Sequence, residues 1–267
     1  MKTLFLLRSY GDFIIALSQA VASNKPARLI ASIHLEELYS AVLPFLPPTL
    51  FSIDFVDIGI DKGLLRSYTN RYFISKQSLK ELQNLTLAIQ NLAKDATETN
   101  SFFLEQKRKS FFTRSITGTN FLWVHEHGNI YDSYRNFFAA FNDLPSVVSD
   151  SLNLKGKRVL VFPDSRLKKK QITATALKNI LLNLQQQNAL AAVAKFQKPF
   201  LDDGIGYDDF KSLVALIAGA DFIISSDSLP AHIAQLLQKP HQIAYAKIIN
   251  HEFITPFARL NNTAFTF

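Results

Sequence analysis

Short apolar runs alternate with amphipathic stretches from the first residues of the chain. Apolar, β-branched runs bounded by polar residues predict buried strands, whereas apolar residues at three- and four-residue spacing predict helices. In the first sixty residues this pattern predicts strands at 2–7, 27–33 and 51–58 and helices at 13–23 and 35–43. Such alternation favours a parallel sheet with helical crossovers.

The pattern weakens in the middle of the chain and returns after residue 156. Helical spacing is found at 77–93 and 130–141, and short strands are predicted at 102–104 and 121–124. Beyond the middle, strands are predicted at 158–162, 190–196, 222–225 and 241–245, the last of the chain, with helices at 173–187, 208–219 and from 231 onward. Because residues 146–156 are polar and rich in turn formers, we expect two successive α/β domains, 1–145 and 157–267, joined by that linker.

Composition excludes several classes of protein. Apolar residues make up 48% of the chain and charged residues 19%, which is typical of globular proteins and not of disordered ones. The chain has no cysteine, so disulfides and thiolate metal sites are excluded. The N-terminal apolar run is too short for a signal peptide, and the run at 213–225 is too short to span a bilayer. We therefore expect a soluble, cytoplasmic protein.

The net charge of +7 indicates a basic surface. Such a surface suits a phosphate-rich substrate or an anionic membrane face, although solvated charge is the more common explanation. No zinc-finger spacing and no aromatic RNA-binding pattern accompanies it. A nucleic-acid partner is therefore not expected.

The segment 221–237 carries the most informative group of polar residues. A short apolar run ends at Ser225, helix-capping residue types follow, and Pro230 stands in the first turn of the predicted helix. Asp227, Ser228 and His232 are thereby predicted to cluster where a strand ends and a helix begins. Ligands bind at such positions in open α/β sheets, because backbone N–H groups and the helix dipole face the crevice. An ordinary capped turn without a ligand is the alternative.

A second predicted strand-to-helix turn, residues 163–170, is strongly basic. It contains Ser165, Arg166 and three consecutive lysines that end with Lys169 and Lys170. Arginine and lysine side chains in this position would hold a diphosphate by charge and hydrogen bonds. The alternative is solvated loop charge.

The first predicted helix is preceded by Gly11 and Asp12. Glycine lets the turn approach a ligand closely, and a carboxylate at a helix N-terminus is stabilised by the helix dipole. Asp12 is therefore either a helix cap or a general base facing a cleft between the two domains.

Two histidines, His125 and His127, would lie on the same side of a predicted strand. Imidazoles so arranged can bind a metal ion. Because the sequence supplies no identifiable third ligand, a metal site is not expected there.

Three segments carry a family resemblance: Arg8-Ser-Tyr-Gly-Asp-Phe-Ile-Ile-Ala-Leu17, the basic loop at 162–172, and the helix–strand–helix–strand segment at 213–245. Together they resemble the heptosyltransferase family, glycosyltransferase family nine, of lipopolysaccharide assembly. The likeness covers both ends of the chain and hardly the region 60–120. It implies a GT-B-like α/β fold, with two Rossmann-like domains whose parallel sheets face each other across a cleft.

The resemblance also implies an activity: inverting, metal-independent transfer of a sugar, heptose-like or other, from a nucleotide-diphosphate donor. No cofactor is expected, and the implied acceptor is a glycan or glycolipid of the cell envelope. The basic charge of the chain would suit an anionic acceptor and peripheral contact with the cytoplasmic face of the inner membrane. Asp12 would take the proton of the acceptor hydroxyl, with Ser9 and Gly11 in the loop beside it. Lys170, or Lys169 if the register shifts by one, would neutralise the departing nucleotide. The resemblance completes the donor site with Ser165, Arg166, Asp227, Ser228 and His232.

The chain departs from the family pattern on the donor side. Leu229 stands where the family has glycine, and no acidic residue after Phe196 matches the one the family uses near the nucleoside. These departures motivate an alternative, in which the protein binds a nucleotide-sugar or glycan without transferring it.

Overall fold

The computed structural model describes residues 2–6, 9–23, 25–57, 87, 101–106, 122–139, 153–197 and 204–267. The chain divides into two compact units, of which the first comprises Met1–Tyr39, Pro48–His127 and Ser133–Ala140. The second comprises Ser40–Pro47, Gly128–Asp132 and Phe141–Phe267. Most of the predicted linker at 146–156 and, apart from residue 87, the predicted helix at 77–93 lie outside the described residues. The predicted domain limits therefore stay a prediction.

The first part of the chain builds a parallel sheet. In chain order its elements are β1 (Lys2–Leu6), α1 (Tyr10–Val21), β2 (Ala27–Ser32), α2 (Glu36–Val42), β3 (Phe51–Val56), β4 (Ser101–Gln106), β5 (Leu122–His125) and α3 (Ile130–Phe138). Two 3₁₀ turns, Ile33–Leu35 and Leu43–Phe45, flank α2. Among the described residues the strand order is β3-β2-β1-β4-β5, and every pair is parallel. Successive strands are therefore added on one side of β1 up to β3 and on its other side from β4 onward, so the order of strands reverses between β1 and β4.

The second part of the chain builds another parallel sheet. Its elements are β6 (Arg158–Phe162), α4 (Ala174–Gln186), β7 (Leu190–Phe196), β8 (Ile205–Tyr207), α5 (Phe210–Gly219), β9 (Phe222–Ser226), α6 (Leu229–Leu236), β10 (His241–Tyr245), α7 (Pro256–Leu260) and β11 (Ala264–Thr266). The strand order is β11-β10-β9-β6-β7-β8. This is the doubly wound order of dinucleotide-binding folds, with the reversal between β6 and β9.

Most predicted boundaries agree with the structure to within three residues. Helix α1 begins earlier than predicted, at Tyr10, because the hydroxyl of Ser9 accepts a hydrogen bond from the backbone N–H of Asp12 and so caps the helix. The prediction that β10 is the last strand is wrong, since α7 and β11 follow and β11 pairs with β10. These two elements and β8 have only three to five residues each, too few to produce a recognisable period.

Apolar side chains bury α1 and the central strands of the second sheet. In α1 every residue from 13 to 20 is buried, as expected for a helix that is apolar on most sides. In the second unit Val159, Val161, Phe222 and Ile224 of the central strands β6 and β9 pack in one core cluster with Leu184 of α4. Within the described part of the chain, no helix is long and apolar enough to cross a membrane.

Candidate functional site

Several polar and charged side chains of the second unit lie where β6 and β9 end. The two strands pair in parallel, with Phe162 opposite Ser225, so the turns that follow them lie side by side. The turn after β6 begins with the basic residues 163–170, called the basic loop from here on, and the turn after β9 leads into α6. Open α/β sheets bind ligands at this point because the neighbouring crossovers run to opposite sides and leave a crevice.

An ion pair joins these two turns. The ammonium nitrogen of Lys170 donates to Oδ2 of Asp227 at 2.6 Å, and the Asp227 side chain is only 5% exposed. Lys170 ends the 3₁₀ turn Lys168–Lys170, and its ammonium also lies 5.9 Å from the centre of the Phe253 ring. The buried carboxylate therefore has a positive partner, and Lys170 is held close to the N-terminus of α6.

Serine hydroxyls form a second link between the turns. The hydroxyl of Ser226 donates to the carbonyl oxygen of Asp164 at 2.8 Å. The hydroxyl of Ser228 lies 2.9 Å from that of Ser226 and 3.3 Å from that of Ser225. Ser228 occupies the N-cap position of α6, but its side chain makes no capping hydrogen bond. The first turn of α6 therefore lacks the side-chain acceptor that usually caps a helix, an arrangement suited to an anionic ligand.

His232, the fourth residue of α6, is buried beside the ion pair of Lys170 and Asp227. Its Nδ1 lies 2.8 Å from the hydroxyl oxygen of Tyr131. Burial lowers the pKa of His232 to about 4; the Asp227 charge opposes this shift and the Lys170 charge adds to it. His232 is therefore neutral at pH 7.

Two tyrosines complete the surroundings, and sequence reasoning identified neither. Burial raises the pKa of Tyr131 far above its usual value, and the nearby charge of Asp227 adds to the effect. The hydroxyl of Tyr245 is buried and has no hydrogen-bond partner among the described residues. Tyr245 is the last residue of β10, and its position at the carboxyl end of a predicted strand could have identified it as a site residue. No local sequence pattern marks Tyr131.

The structure brings together part of the predicted donor site. Lys170, Asp227 and Ser228 lie at the same junction, and His232 is within electrostatic reach of the first two. Ser165 belongs to the loop itself, where its hydroxyl accepts a hydrogen bond from the backbone N–H of Leu167. Arg166 and Lys169, by contrast, are exposed and form no ion pair within the described ranges. Of the two candidate lysines, Lys170 is the one in contact with Asp227.

The predicted base region belongs to the first unit. Asp12 and Gly11 lie in the first turn of α1 and Ser9 caps that helix, so Gly11 is helical and not part of a loop. All three are partly buried. They follow β1 at the point where the first sheet reverses direction, the position corresponding to that of the basic loop in the second sheet.

The two histidines considered as metal ligands lie in different environments, one buried and the other exposed. His125 is 3% exposed, and its Nδ1 lies 2.9 Å from the hydroxyl of Ser133. The side chain of His127 is 89% exposed and follows the end of β5. They do not face a common site, and no cluster of three or more metal-ligating side chains is found among the residues that the structure describes.

Comparison with known proteins gives matches only in structure, since no protein-family model and no curated protein matches the sequence. The chain is similar to Escherichia coli heptosyltransferase WaaC solved with ADP, at 12% identity and a TM-score of 0.58, covering 100% of this chain and 92% of that chain. It is similar to E. coli ADP-heptose lipopolysaccharide heptosyltransferase II, at 14% identity, a TM-score of 0.56 and coverage of 100% and 90%. A glycosyl transferase family 9 structure from Veillonella parvula matches at 11% identity, a TM-score of 0.59 and coverage of 100% and 85%. The resemblance to heptosyltransferases and the predicted GT-B-like α/β fold are confirmed at the level of the fold.

Proposed function

We propose that this protein is a glycosyltransferase that moves a sugar from a nucleotide-diphosphate donor to a glycan or glycolipid acceptor of the cell envelope. The observation that carries the proposal is the ion pair between Lys170 and Asp227 at the N-terminus of α6. It lies at the reversal point of a doubly wound sheet, in a chain with the fold of heptosyltransferases. The WaaC structures contain ADP or an ADP-linked fluoro-heptose, which supports a nucleotide-sugar donor here.

The donor diphosphate would bind between Lys170 and the start of α6. An ammonium group has three N–H donors, and only one is needed for Asp227, so the others are available to phosphate oxygens. Because the N-terminus of a helix carries partial positive charge, it adds to the attraction of an anion. Asp227 then acts by holding Lys170 in place, since its own carboxylate would repel a phosphate. Ser165, Arg166 and Ser228 would supply further hydrogen bonds at the edge of the donor.

The proposed reaction is an inverting displacement. The Asp12 carboxylate accepts the proton of the acceptor hydroxyl, whose oxygen forms a bond to the anomeric carbon while the bond from that carbon to the diphosphate breaks. The nucleoside diphosphate leaves with the bonding electron pair. Lys170 and the N-terminus of α6 stabilise the charge that develops on it, which is the task that a metal ion performs in other enzymes. No metal or other cofactor is part of this proposal.

An anionic acceptor fits the charge of the chain. The net charge of +7 favours association with phosphorylated glycolipids, and it would bring the protein to the cytoplasmic face of the inner membrane as a peripheral partner. A heptose-like sugar and lipopolysaccharide synthesis are the simplest assignments within this proposal.

One observation favours a second candidate function. Leu229 is the first residue of α6 and is partly buried, at the position where the family has glycine. A side chain there keeps a phosphate further from the backbone than glycine would. The second candidate is therefore a protein that binds a nucleotide-sugar or glycan without transferring the sugar.

Two assays separate the candidates. Thermal shift against a panel of nucleoside diphosphates and nucleotide-sugars measures binding, and release of nucleoside diphosphate in the presence of glycan acceptors measures transfer. A glycosyltransferase is stabilised by its donor and releases the diphosphate, whereas the second candidate is stabilised without release. Absence of stabilisation by the whole panel would contradict the glycosyltransferase and the nucleotide-sugar form of the second candidate.

The base assignment is tested with Asp12→Ala. We expect this variant to lose transfer while its donor affinity stays within about twofold of wild type, because the base acts on the acceptor and not on the donor. Glu36→Gln is a matched control, since Glu36 is an exposed carboxylate in the first turn of α2. If Asp12→Ala retained wild-type turnover, the base assignment would be wrong.

A further inference from the structure

The hydroxyl of Tyr131 and the ring of His232 form a buried pair, 101 residues apart in the chain. Tyr131 is the second residue of α3 and belongs to the part of the chain that packs within the second unit. It is 1% exposed and His232 is 6% exposed, so water has little access to either. A contact of this kind fixes both side chains.

Tyr131 is anchored from both sides along the chain. The side-chain amide of Asn129 donates to the carbonyl oxygens of His251 and Ile254, both at 2.9 Å. On the other side, the guanidinium of Arg259 binds the Asp132 carboxylate with two hydrogen bonds of 2.6 and 2.8 Å. The segment that carries Tyr131 is therefore held against the segment 251–259, and the hydroxyl reaches His232 from a fixed backbone.

The direction of this hydrogen bond follows from the hydroxyl proton of Tyr131, which needs an acceptor. A buried hydroxyl has one proton, and leaving it without an acceptor is unfavourable. Among the described residues, Nδ1 of His232 is the one group that forms a hydrogen bond with this hydroxyl. Tyr131 therefore donates to Nδ1. In a neutral imidazole the other nitrogen then carries the proton, so Nε2 of His232 is an N–H donor.

Burial keeps His232 in its neutral form, and the charged groups around it act in opposite directions. Lys170 from the basic loop opposes a second positive charge and Asp227 before α6 favours one, while Tyr131, Tyr245 and His241 face the same region without carrying charge at neutral pH. Burial outweighs the attraction of Asp227, so the pKa of His232 falls to about 4. The ring therefore offers a hydrogen bond without a formal charge.

We propose that Tyr131 is a positioning residue, which holds His232 in the tautomer with its proton on Nε2 so that this N–H donates to a phosphate oxygen of the nucleotide-sugar. No described residue forms a hydrogen bond with Nε2 of His232, so this donor remains for a ligand. The tautomer can be measured in the free protein. Its use in phosphate binding rests on the proposed function.

Nitrogen NMR of the histidine rings tests the tautomer in the whole protein without a ligand. We expect Nδ1 of His232 to be an unprotonated acceptor and Nε2 to be protonated, with no change between pH 6 and 8; the His232→Gln variant assigns the signals. Tyr131→Phe should shift the Nδ1 resonance and mix the tautomers. Tyr134→Phe, which removes a buried hydroxyl one turn further along α3, should not. A protonated Nδ1 in the wild-type protein, or an unchanged ring in Tyr131→Phe, would overturn the proposal.

Binding of ADP and the other nucleoside diphosphates tests the use of that donor. Tyr131→Phe should weaken the affinity of the nucleotide that binds best by roughly fivefold, the effect of about one hydrogen bond, and should raise the donor KM more than it lowers kcat. In a His232→Gln background the same change should have no effect, because Tyr131 acts through His232. Equal losses in both backgrounds would mean that Tyr131 has only a structural role. If the wild-type protein bound no nucleotide, the proposed function and the phosphate contact would both fail, whereas the NMR result would still decide the tautomer.

Discussion

The ammonium nitrogen of Lys170 lies 2.6 Å from Oδ2 of Asp227, and this contact joins two turns that are 57 residues apart in the chain. One turn follows β6 and the other follows β9, the two strands between which the second sheet reverses direction. The pair places a lysine ammonium next to a helix N-terminus whose N-cap side chain is turned elsewhere. The lysine ammonium and the helix N-terminus therefore offer N–H donors at the position where doubly wound sheets bind phosphates.

The first prediction compares two neighbouring lysines. Lys170→Met should weaken binding of a nucleoside diphosphate by about tenfold or more, because it removes a charge-assisted hydrogen bond at the phosphate position. Lys169→Met, the matched control, removes the same charge from an exposed side chain and should change the affinity less than twofold. Isothermal titration at constant ionic strength makes the comparison. Equal losses in both variants would indicate general attraction by a basic loop.

A second prediction concerns stability. Lys170→Met leaves the buried Asp227 carboxylate without its positive partner, and we expect the free energy of unfolding to fall by roughly 1–3 kcal/mol. Adding Asp227→Asn should restore part of the loss, because the unpaired charge is then removed as well. Urea unfolding of the two single variants and the double variant gives the coupling energy. Strictly additive effects would contradict a direct interaction.

A third prediction concerns pH. Burial is the main cause that lowers the pKa of both His232 and His241 from 6.5 to about 4, so between these values the unfolded chain binds more protons than the folded protein. Stability should therefore be greatest above pH 6.5 and fall as the pH drops towards 4, by up to about 1.4 kcal/mol per pH unit for each histidine. His232→Gln and His241→Gln should each reduce this slope in urea unfolding between pH 7 and 4.5. A slope that neither variant changes would assign the acid sensitivity to other groups.

The fourth prediction contrasts two buried tyrosine hydroxyls near Asp227. Tyr245→Phe removes a hydroxyl that has no hydrogen-bond partner among the described residues, so the free energy of unfolding should stay within about 0.5 kcal/mol or increase. Tyr131→Phe removes a hydroxyl that is hydrogen-bonded to Nδ1 of His232 and should cost about 1–2 kcal/mol. Thermal and urea unfolding of the two variants test this order. A larger loss for Tyr245→Phe would show that its hydroxyl has a partner in solution.

The strands of both sheets were largely predictable because each is a continuous apolar run. Strands β6, β7 and β10 begin and end at the predicted residues. Short elements were not predicted. Helix α7 has a threonine cap and a proline in its first turn, but its five residues contain too little of a helical period to be recognised. The candidate site was predictable to the extent that its residues follow strand ends, as Asp12, Lys170 and Asp227 do.

The sequence alone determined approximately where the longer strands end and the longer helices begin, because apolar runs, caps and prolines act over a few neighbouring positions. It left open which of two lysines belongs to the donor site, and it contained no sign that Lys170 would contact Asp227 or that Tyr131 would contact His232. Those contacts depend on the order of strands in the sheet and on the path of the chain between them, which bring together residues 57 and 101 positions apart. Only the tertiary structure decided them, because local sequence patterns carry no information on which distant segments become neighbours.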